Sequence, residues 1–249
     1  MHIKLWGELY NESVSFYKLN NNFISFSHIR QGLKMYRESK ICFETYFLFR
    51  YGKDLDKDFW NNKIETGLGF RLRWFQKIFL AVYLEWIKGH YIDMLEEYAL
   101  YASENYHDFR TGLIFWYGWD RKIIEYPPEN FPLNYWGELY SDVSYYRSQR
   151  NNVIGYFSAK IGLRPLKLWH TTLDCYGTAY LSKDVNKDFW NNKIEYGPGF
   201  WIRPYYDLSL KLYIEWLWGN YFGIEGLDPN PYDQNYWDRR MGIIFWIGW

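Results

Sequence analysis

Nine consecutive residues, Lys57-Asp-Phe-Trp-Asn-Asn-Lys-Ile-Glu65, recur letter for letter at Lys187 to Glu195. The same offset of 130 residues (187 against 57) lays Trp6-Gly-Glu-Leu-Tyr10 on Trp136 to Tyr140. It lays Tyr83, Glu85, Trp86, Gly89 and Tyr91 on Tyr213, Glu215, Trp216, Gly219 and Tyr221, and Asp108 to Trp119 on Asp238 to Trp249. One spacing that holds from end to end reads as a tandem duplication. A repeat limits the fold to architectures that two copies can complete. The expected organisation is a single domain over residues 1–249, with repeat 1 at 1–119, a linker at 120–132 and repeat 2 at 133–249.

Within each copy the dominant period is two. Ile64, Thr66, Leu68, Phe70, Leu72 and Trp74 alternate with Glu65, Gly67, Gly69, Arg71 and Arg73. Ile194, Tyr196, Pro198, Phe200 and Ile202 alternate with Glu195, Gly197, Gly199, Trp201 and Arg203. A helix would scatter these sets around its axis; a strand puts each on one face. The segments Ile78 to Trp86 and Leu208 to Trp216 behave alike. Earlier ones follow with more noise: Arg30, Gly32 and Lys34 share a face, as do Lys160, Gly162 and Arg164, while Glu44 and Arg50 oppose Phe43, Phe47 and Phe49. The pattern predicts six strands per repeat and twelve in all.

The connections should alternate in length. Short ones fall near Glu38-Ser39 and Gln76-Lys77. Longer polar ones fall near residues 19–22, 52–62, 88–107, 182–192 and 220–236. The linker, with Pro127-Pro128, belongs on the short-turn side. Pro204 suits a turn, and Pro198 calls for a bulge between its flanking glycines, because proline cannot donate to a ladder.

The two faces decide the environment. One is continuous Phe, Leu, Ile and Trp; the other carries Glu, Arg, Lys, Gly and Tyr at matched places. A wall with lipid outside and a polar lumen inside needs this arrangement, and an aromatic content of 24% leaves enough Trp and Tyr for both membrane interfaces. An even strand count closes the sheet and removes edges that hydrocarbon would leave unpaired. The expected fold is an all-β, twelve-stranded, antiparallel, up-and-down transmembrane β-barrel made of two six-stranded repeats. No apolar run approaches the roughly 18 residues of a membrane helix. Zero net charge points away from nucleic acid. No secretory leader precedes the first repeat block, so export requires that the sequence be a mature chain or part of a longer one. Cys42 and Cys175 do not align between the repeats and imply neither a disulfide framework nor a metal site.

The last strand adds a motif. Arg240-x-Gly242-x-x-Phe245-x-Ile247 followed by Trp249 resembles the closing β-signal of bacterial outer-membrane barrels. That resemblance implies assembly by the barrel-assembly machinery in a bacterial outer membrane. Asp108 to Trp119 repeats the pattern internally, so duplication alone can also generate it. The blocks Asp188-Phe-Trp-Asn-Asn192 and Gly197-x-Gly199 are similar to the C-terminal barrel regions of the bacteriophage N4 adsorption protein A family and of biofilm polysaccharide exporters. This second resemblance implies envelope export partners or a saccharide, and a role as a pore or as the membrane module of an export or receptor system.

The candidate pore-lining residues are Glu8, Arg30, Lys34, Glu44, Glu65, Arg71, Arg73, Glu85, Arg110, Glu138, Lys160, Arg164, Asp174, Glu195, Arg203, Glu215 and Arg240. They could form a charged constriction that selects a solute. Equally, acids and bases on neighbouring strands could neutralise each other and fill a narrow lumen; near-equal numbers of both signs favour this second reading. The Asn-rich block could bind sugar by hydrogen bonds and Trp stacking, or could serve turn geometry.

Catalysis is not expected, and no cofactor is implied. His2, His28, His90, His107 and His170 do not align at the repeat offset, and no His-x-Ser places both groups on one strand face. No metal-ligand spacing, phosphate loop or nucleotide fingerprint occurs. Two rivals stand beside the barrel: a soluble, aromatic-rich β-repeat protein that binds carbohydrate, and a membrane enzyme using His28 or the inner glutamates.

Overall fold

A computed structural model describes residues 2–18, 22–37, 41–56, 61–74, 78–92, 103–123, 133–186, 191–205, 209–222 and 234–249, without the side chains of residues 36 and 37. Twelve strands follow one another: β1 His2–Phe16, β2 Asn22–Arg37, β3 Ile41–Asp54, β4 Lys63–Trp74, β5 Phe79–Tyr91, β6 Asn105–Lys122, β7 Asn134–Tyr146, β8 Asn152–Leu168, β9 Thr171–Asp184, β10 Lys193–Arg203, β11 Ser209–Tyr221 and β12 Asn235–Gly248. Each pairs antiparallel with the next, and β12 pairs with β1, so the sheet is a closed up-and-down barrel.

At one end, here the turn end, the links span 38–40, 75–78, 169–170 and 204–208. At the opposite loop end they span 17–21, 55–62, 92–104, 147–151, 185–192 and 222–234. The rhythm is the expected one, with a single long link, 123–133, at the turn end. The tips at Glu38-Ser39, Gln76-Lys77 and Pro127-Pro128 lie outside the described residues. β6 takes in Asp120, Arg121 and Lys122, which pair with Trp136, Tyr135 and Asn134 of β7, so the strands extend beyond the sequence-based repeat boundary.

Alternation sorts the side chains. Leu68, Phe70, Val82, Leu84, Ile161 and Phe200 lie exposed on the outer wall, while Glu44, Glu65, Glu85, Asp174 and Glu215 are buried inside. The outer wall has a polar interruption at the loop half of β1 and β2, where Asn11 donates to Ser27 at 2.7 Å and Ser13 bonds Ser25 at 2.9 Å. Inside, Trp6, Tyr46 and Leu48 form one apolar cluster, and Trp136, Tyr176 and Trp201 form another.

The prolines correct one expectation. No bulge forms at Pro198. Tyr196↔Trp218 and Gly199↔Glu215 belong to one unshifted register, and the pairs between them are simply missing, as a residue without an N–H allows. The one-residue shift lies instead in β8, between Leu163 and Leu166, and so brackets Pro165. Pro204 stands just past β10, where its carbonyl accepts the Thr171 hydroxyl at 3.0 Å.

Candidate functional site

The first repeat fills its half of the lumen with alternating charge. Inward positions are two residues apart on each strand and in register across strands, so unlike charges on neighbouring strands meet. Arg71 Nε donates to Glu44 at 2.5 Å, and Lys34 and Arg73 each stand 3.6 Å from the same carboxylate. Arg30 donates to Glu8 at 2.7 Å and lies 3.6 Å from Glu85. Glu85 accepts Arg50 at 2.6 Å and the Tyr46 hydroxyl at 3.0 Å. Towards the loop end Glu65 accepts Arg110 Nη1 at 2.9 Å and Tyr106 at 2.5 Å, and Arg110 Nε also bonds Asp108 at 2.7 Å.

The second repeat reproduces part of this lattice. Glu195 accepts Arg240 and, at 2.5 Å, Tyr236; Arg240 Nε bonds Asp238 at 2.9 Å. Glu215 accepts Tyr176 at 2.9 Å and Tyr180 at 2.8 Å, with Lys160 at 3.3 Å. Asp174 meets Arg203 at 2.7 Å, Arg164 at 2.9 Å and the indole N–H of Trp201. Glu138 faces Lys160 in the β7–β8 register but forms no ion pair among the described residues. All the candidate pore-lining residues therefore sit on the inner face, and all but Glu138 take part in ion pairs.

The halves differ at aligned positions. Where the first has Arg71 and Ala81, the second has Trp201 and Lys211. Trp201 stacks on Trp136, with ring centres 4.4 Å apart and planes 15° apart, and the Lys211 ammonium lies 4.1 Å over its ring. Arg50 is matched by Tyr180, and both reach the aligned glutamate of the fifth strand of their repeat.

Two inner carboxylates join the halves through hydroxyls. Tyr213 of β11 donates to Glu12 of β1 at 3.0 Å, and Tyr10 donates to Glu12 at 2.6 Å. Across the other seam, Tyr83 of β5 bonds Ser144 of β7 at 2.6 Å, and Ser144 in turn bonds Asp142. Arg50, Asp108, Glu12, Asp142 and Lys211 were outside the candidate set. The period-two pattern could have supplied them, since each lies an even number of residues from a chosen neighbour on its strand.

The repeated Asn-Asn block is engaged within its own loop. Asp54 accepts Asn22 at 2.8 Å and Asn61 at 2.7 Å, while its N–H donates to Asn62 at 2.8 Å. Asp184 repeats this with Asn191 at 2.8 Å and Asn192 at 3.0 Å. Side-chain oxygens that close backbone N–H groups in this way serve turn geometry. Residues 57–60 and 187–190, which hold the block's Trp, lie outside the described residues.

In the last strand each motif residue has a place. Arg240 is inside the ion lattice, and Gly242 lies beneath the Tyr213 ring, where a Cβ would come within 2.6 Å. Phe245 and Ile247 alternate with these, opposite Asn11 and Leu9 of β1. Trp249 covers Gly7. Among the described residues no group of His, Cys, Asp and Glu is arranged to hold a metal ion. His28 is stacked on Tyr10 at 5.3 Å and points inward, whereas Ser27 bonds Asn11 on the outer wall.

No protein-family model and no curated protein sequence matches the chain. Solved structures similar to it include the beta domain of the Bordetella autotransporter BrkA, at 12% identity over 98% of both chains with a TM-score of 0.37. The NanC porin is similar at 8% identity over 95% of this chain and 98% of that one, with a TM-score of 0.40. The translocator domain of the autotransporter NalP from Neisseria meningitidis is similar at 9% identity, covering 98% and 88%, with a TM-score of 0.32.

Proposed function

We propose that this chain is a bacterial outer-membrane β-barrel, duplicated from a six-stranded unit, that serves as the membrane module of an envelope export or receptor system. Its lumen is narrowed by its own ion pairs, so any passive conduction is confined to small ions. The observation that carries this reading is an inversion of polarity. Leu68 and Ile161 are 61% and 62% exposed on the outer wall, whereas Glu44 and Glu85 are wholly buried inside. A soluble barrel buries its apolar face and exposes its charges; a barrel solvated by acyl chains does the reverse.

Two further features support it. Strands of 11 to 18 residues meet or exceed the roughly nine to eleven that a tilted strand needs to cross hydrocarbon. Exposed Trp86, Trp218 and Trp237 towards the loop end, and Trp169 and Trp249 at the turn end, suit the two interfaces. Phe200 is exposed, and Leu80 and Ile214 are half-buried on the same outer wall, away from the lumen.

The buried carboxylates argue for a narrow lumen. Wall carboxylates of a water-filled channel would be reachable by water, whereas those here are covered by partner cations and tyrosines. In this reading the module carries no catalysis, and the hydroxyl and thiol that meet inner carboxylates, Ser144 on Asp142 and Cys42 on Glu44, belong to the lumen's hydrogen-bond network. A polysaccharide as the exported or recognised ligand rests on the resemblance of the Asp188 to Asn192 block.

Refolding into detergent and then planar bilayers tests this. The folded form should require detergent, shift its gel mobility on heating and show a conductance well below that of an open barrel with the same number of strands. A protein that is folded and monodisperse without detergent would establish the soluble carbohydrate-binding alternative instead.

A further inference from the structure

Each repeat carries a tyrosine pair at the loop end of its lumen. In the second, Tyr221 of β11 and Tyr236 of β12 have ring centres 4.8 Å apart, and the Tyr236 hydroxyl donates to Glu195. In the first, the aligned Tyr91 of β5 and Tyr106 of β6 are 4.7 Å apart, and the Tyr106 hydroxyl donates to Glu65. The link after the neighbouring seam strand is tied down alike in both. Tyr17 N donates to Arg239 O and Lys18 N to Asp238, each at 3.0 Å. Arg147 N donates to Phe109 O at 3.2 Å and Ser148 N to Asp108 at 2.8 Å.

What differs is the side chain offered to the pair. The Lys18 ammonium lies 3.2 Å from the Tyr236 ring centre and 4.2 Å from that of Tyr221, and it donates to the Tyr221 hydroxyl at 3.2 Å. The residue aligned with Lys18 is Ser148, whose hydroxymethyl group is too short to reach that far. Tyr221 is 7% exposed under the lysine, whereas Tyr91 is only half-buried. Lys63 and Arg110 are turned to Glu65 and Asp108, and among the described residues no cation lies over the Tyr106 ring.

Charge points the same way. Around each pair two cations face two carboxylates: Lys193 and Arg240 with Glu195 and Asp238, Lys63 and Arg110 with Glu65 and Asp108. Lys18 adds a positive charge to the second set. In the first, Arg50 comes within 3.6 Å of Glu65 but is bonded to Glu85 at 2.6 Å, which balances it. The connection 92–104 carries Asp93, Glu96, Glu97 and Glu104 with no Lys or Arg, against Arg147 and Arg150 in the link 147–151. The net negative charge of these two connections attracts cations.

We propose that the loop end of the first repeat binds an alkylammonium group of a ligand, over the Tyr106 ring and beside Tyr91, in the place that the second repeat fills with its own Lys18. An ammonium is held at an aromatic face by the ring quadrupole. The Tyr91 hydroxyl corresponds to the one that accepts Lys18. The group can come from a free amine or from a lysine of a partner protein, and its site does not depend on what the lumen conducts.

The test titrates n-butylammonium, a lysine side chain without its backbone, into the refolded full chain and follows it by saturation-transfer NMR. The neutral n-butanol and empty detergent micelles are the references. Saturable binding is expected, at least about fivefold tighter than for n-butanol. Ser148→Lys should weaken it at least about fivefold, because the tethered ammonium then occupies the Tyr106 face. Adding Lys18→Ser to that variant should restore binding at the other pair. Tighter binding of an acetylated, amidated Gly-Lys-Gly peptide would uphold the site and point to a protein-borne lysine; weaker binding would uphold it for a free amine. Equal binding of n-butylammonium and n-butanol, undiminished binding to a folded Ser148→Lys variant, or no restoration by Lys18→Ser overturns the proposal.

Discussion

Trp249 and Gly7 exchange both of their backbone hydrogen bonds, at 2.9 and 3.0 Å, and the indole of Trp249 lies directly over the glycine. The indole N–H then reaches Gln31 of β2 at 3.0 Å, so one residue of the last strand clamps the first two. The same aromatic-over-glycine fit recurs at Trp119 and Gly137 on the other seam. Any Cβ at Gly7 would occupy the space of the ring.

Gly7→Val should therefore displace Trp249, break its bond to Gln31 and cost about 1–3 kcal/mol, as overpacking does. Gly177→Ala is the matched control: a Cβ there meets nothing within 4 Å. Urea midpoints of the refolded barrels read both. Equal midpoints would mean that the Trp249–Gly7 fit contributes nothing to closure.

Much of this architecture was legible in the sequence because a strand's period of two writes its inner and outer faces directly. Glu65, Arg71 and Glu85 could be placed inward without coordinates, and the repeat offset transferred each placement to the second half. What escaped depended on geometry between strands. Arg50 and Tyr180 do the same work with different chemistry, so aligning the repeats conceals them. Pro198 looked like a bulge because proline must lose a ladder bond; the structure drops the pairs instead and shifts register at Pro165.

The Glu85 cluster gives a charge prediction. Arg50, Arg30 and Tyr46 converge on this buried carboxylate. Glu85→Gln leaves two guanidinium groups with less than their compensating charge, a change that costs about 3–5 kcal/mol when a buried pair is broken. The lumen also gains net positive charge. A lower urea midpoint and a reversal potential shifted towards anions in a salt gradient are expected; a variant unchanged in both would show that Glu85 does not set the lumen's charge.

Lys18, in the loop-end link after β1, sets a pH dependence. Its ammonium lies 3.2 Å from the Tyr236 ring centre and donates to the Tyr221 hydroxyl at 3.2 Å. Burial, with the Lys193 charge beside it, lowers its pKa to about 8 from an ordinary 10.5, against the opposing pull of Glu195 and Asp238. The unfolded chain then holds this proton more tightly between those values. Stability should rise with pH from about 8 to about 10.5 and be lower, by a constant amount from this group, below pH 8. Lys18→Met should flatten that slope while leaving the Lys18 N–H bond to Asp238. A wild-type and variant pair with parallel stability curves over this window would show that the lysine does not titrate there.

The exchange of Arg71 and Ala81 for Trp201 and Lys211 offers a test of coupling within one chain. In the first repeat the cation is on the fourth strand, bonded to Glu44 and 5.0 Å from the Trp6 ring. In the second it has moved to the fifth strand, 4.1 Å over Trp201. Trp201→Arg alone would add a guanidinium beside Lys211 and Arg203 with only Asp174 to share, and would dismantle the stack on Trp136. Lys211→Ala alone would remove the cation and leave the aromatic stack. Together they recreate the first repeat's arrangement. The double variant should recover part of the loss, with a coupling energy of about 0.5–3 kcal/mol, the range found for contacting residues. Urea midpoints for the four proteins measure it. Strict additivity would mean that the two positions changed independently and that the lumen tolerates charge wherever it falls.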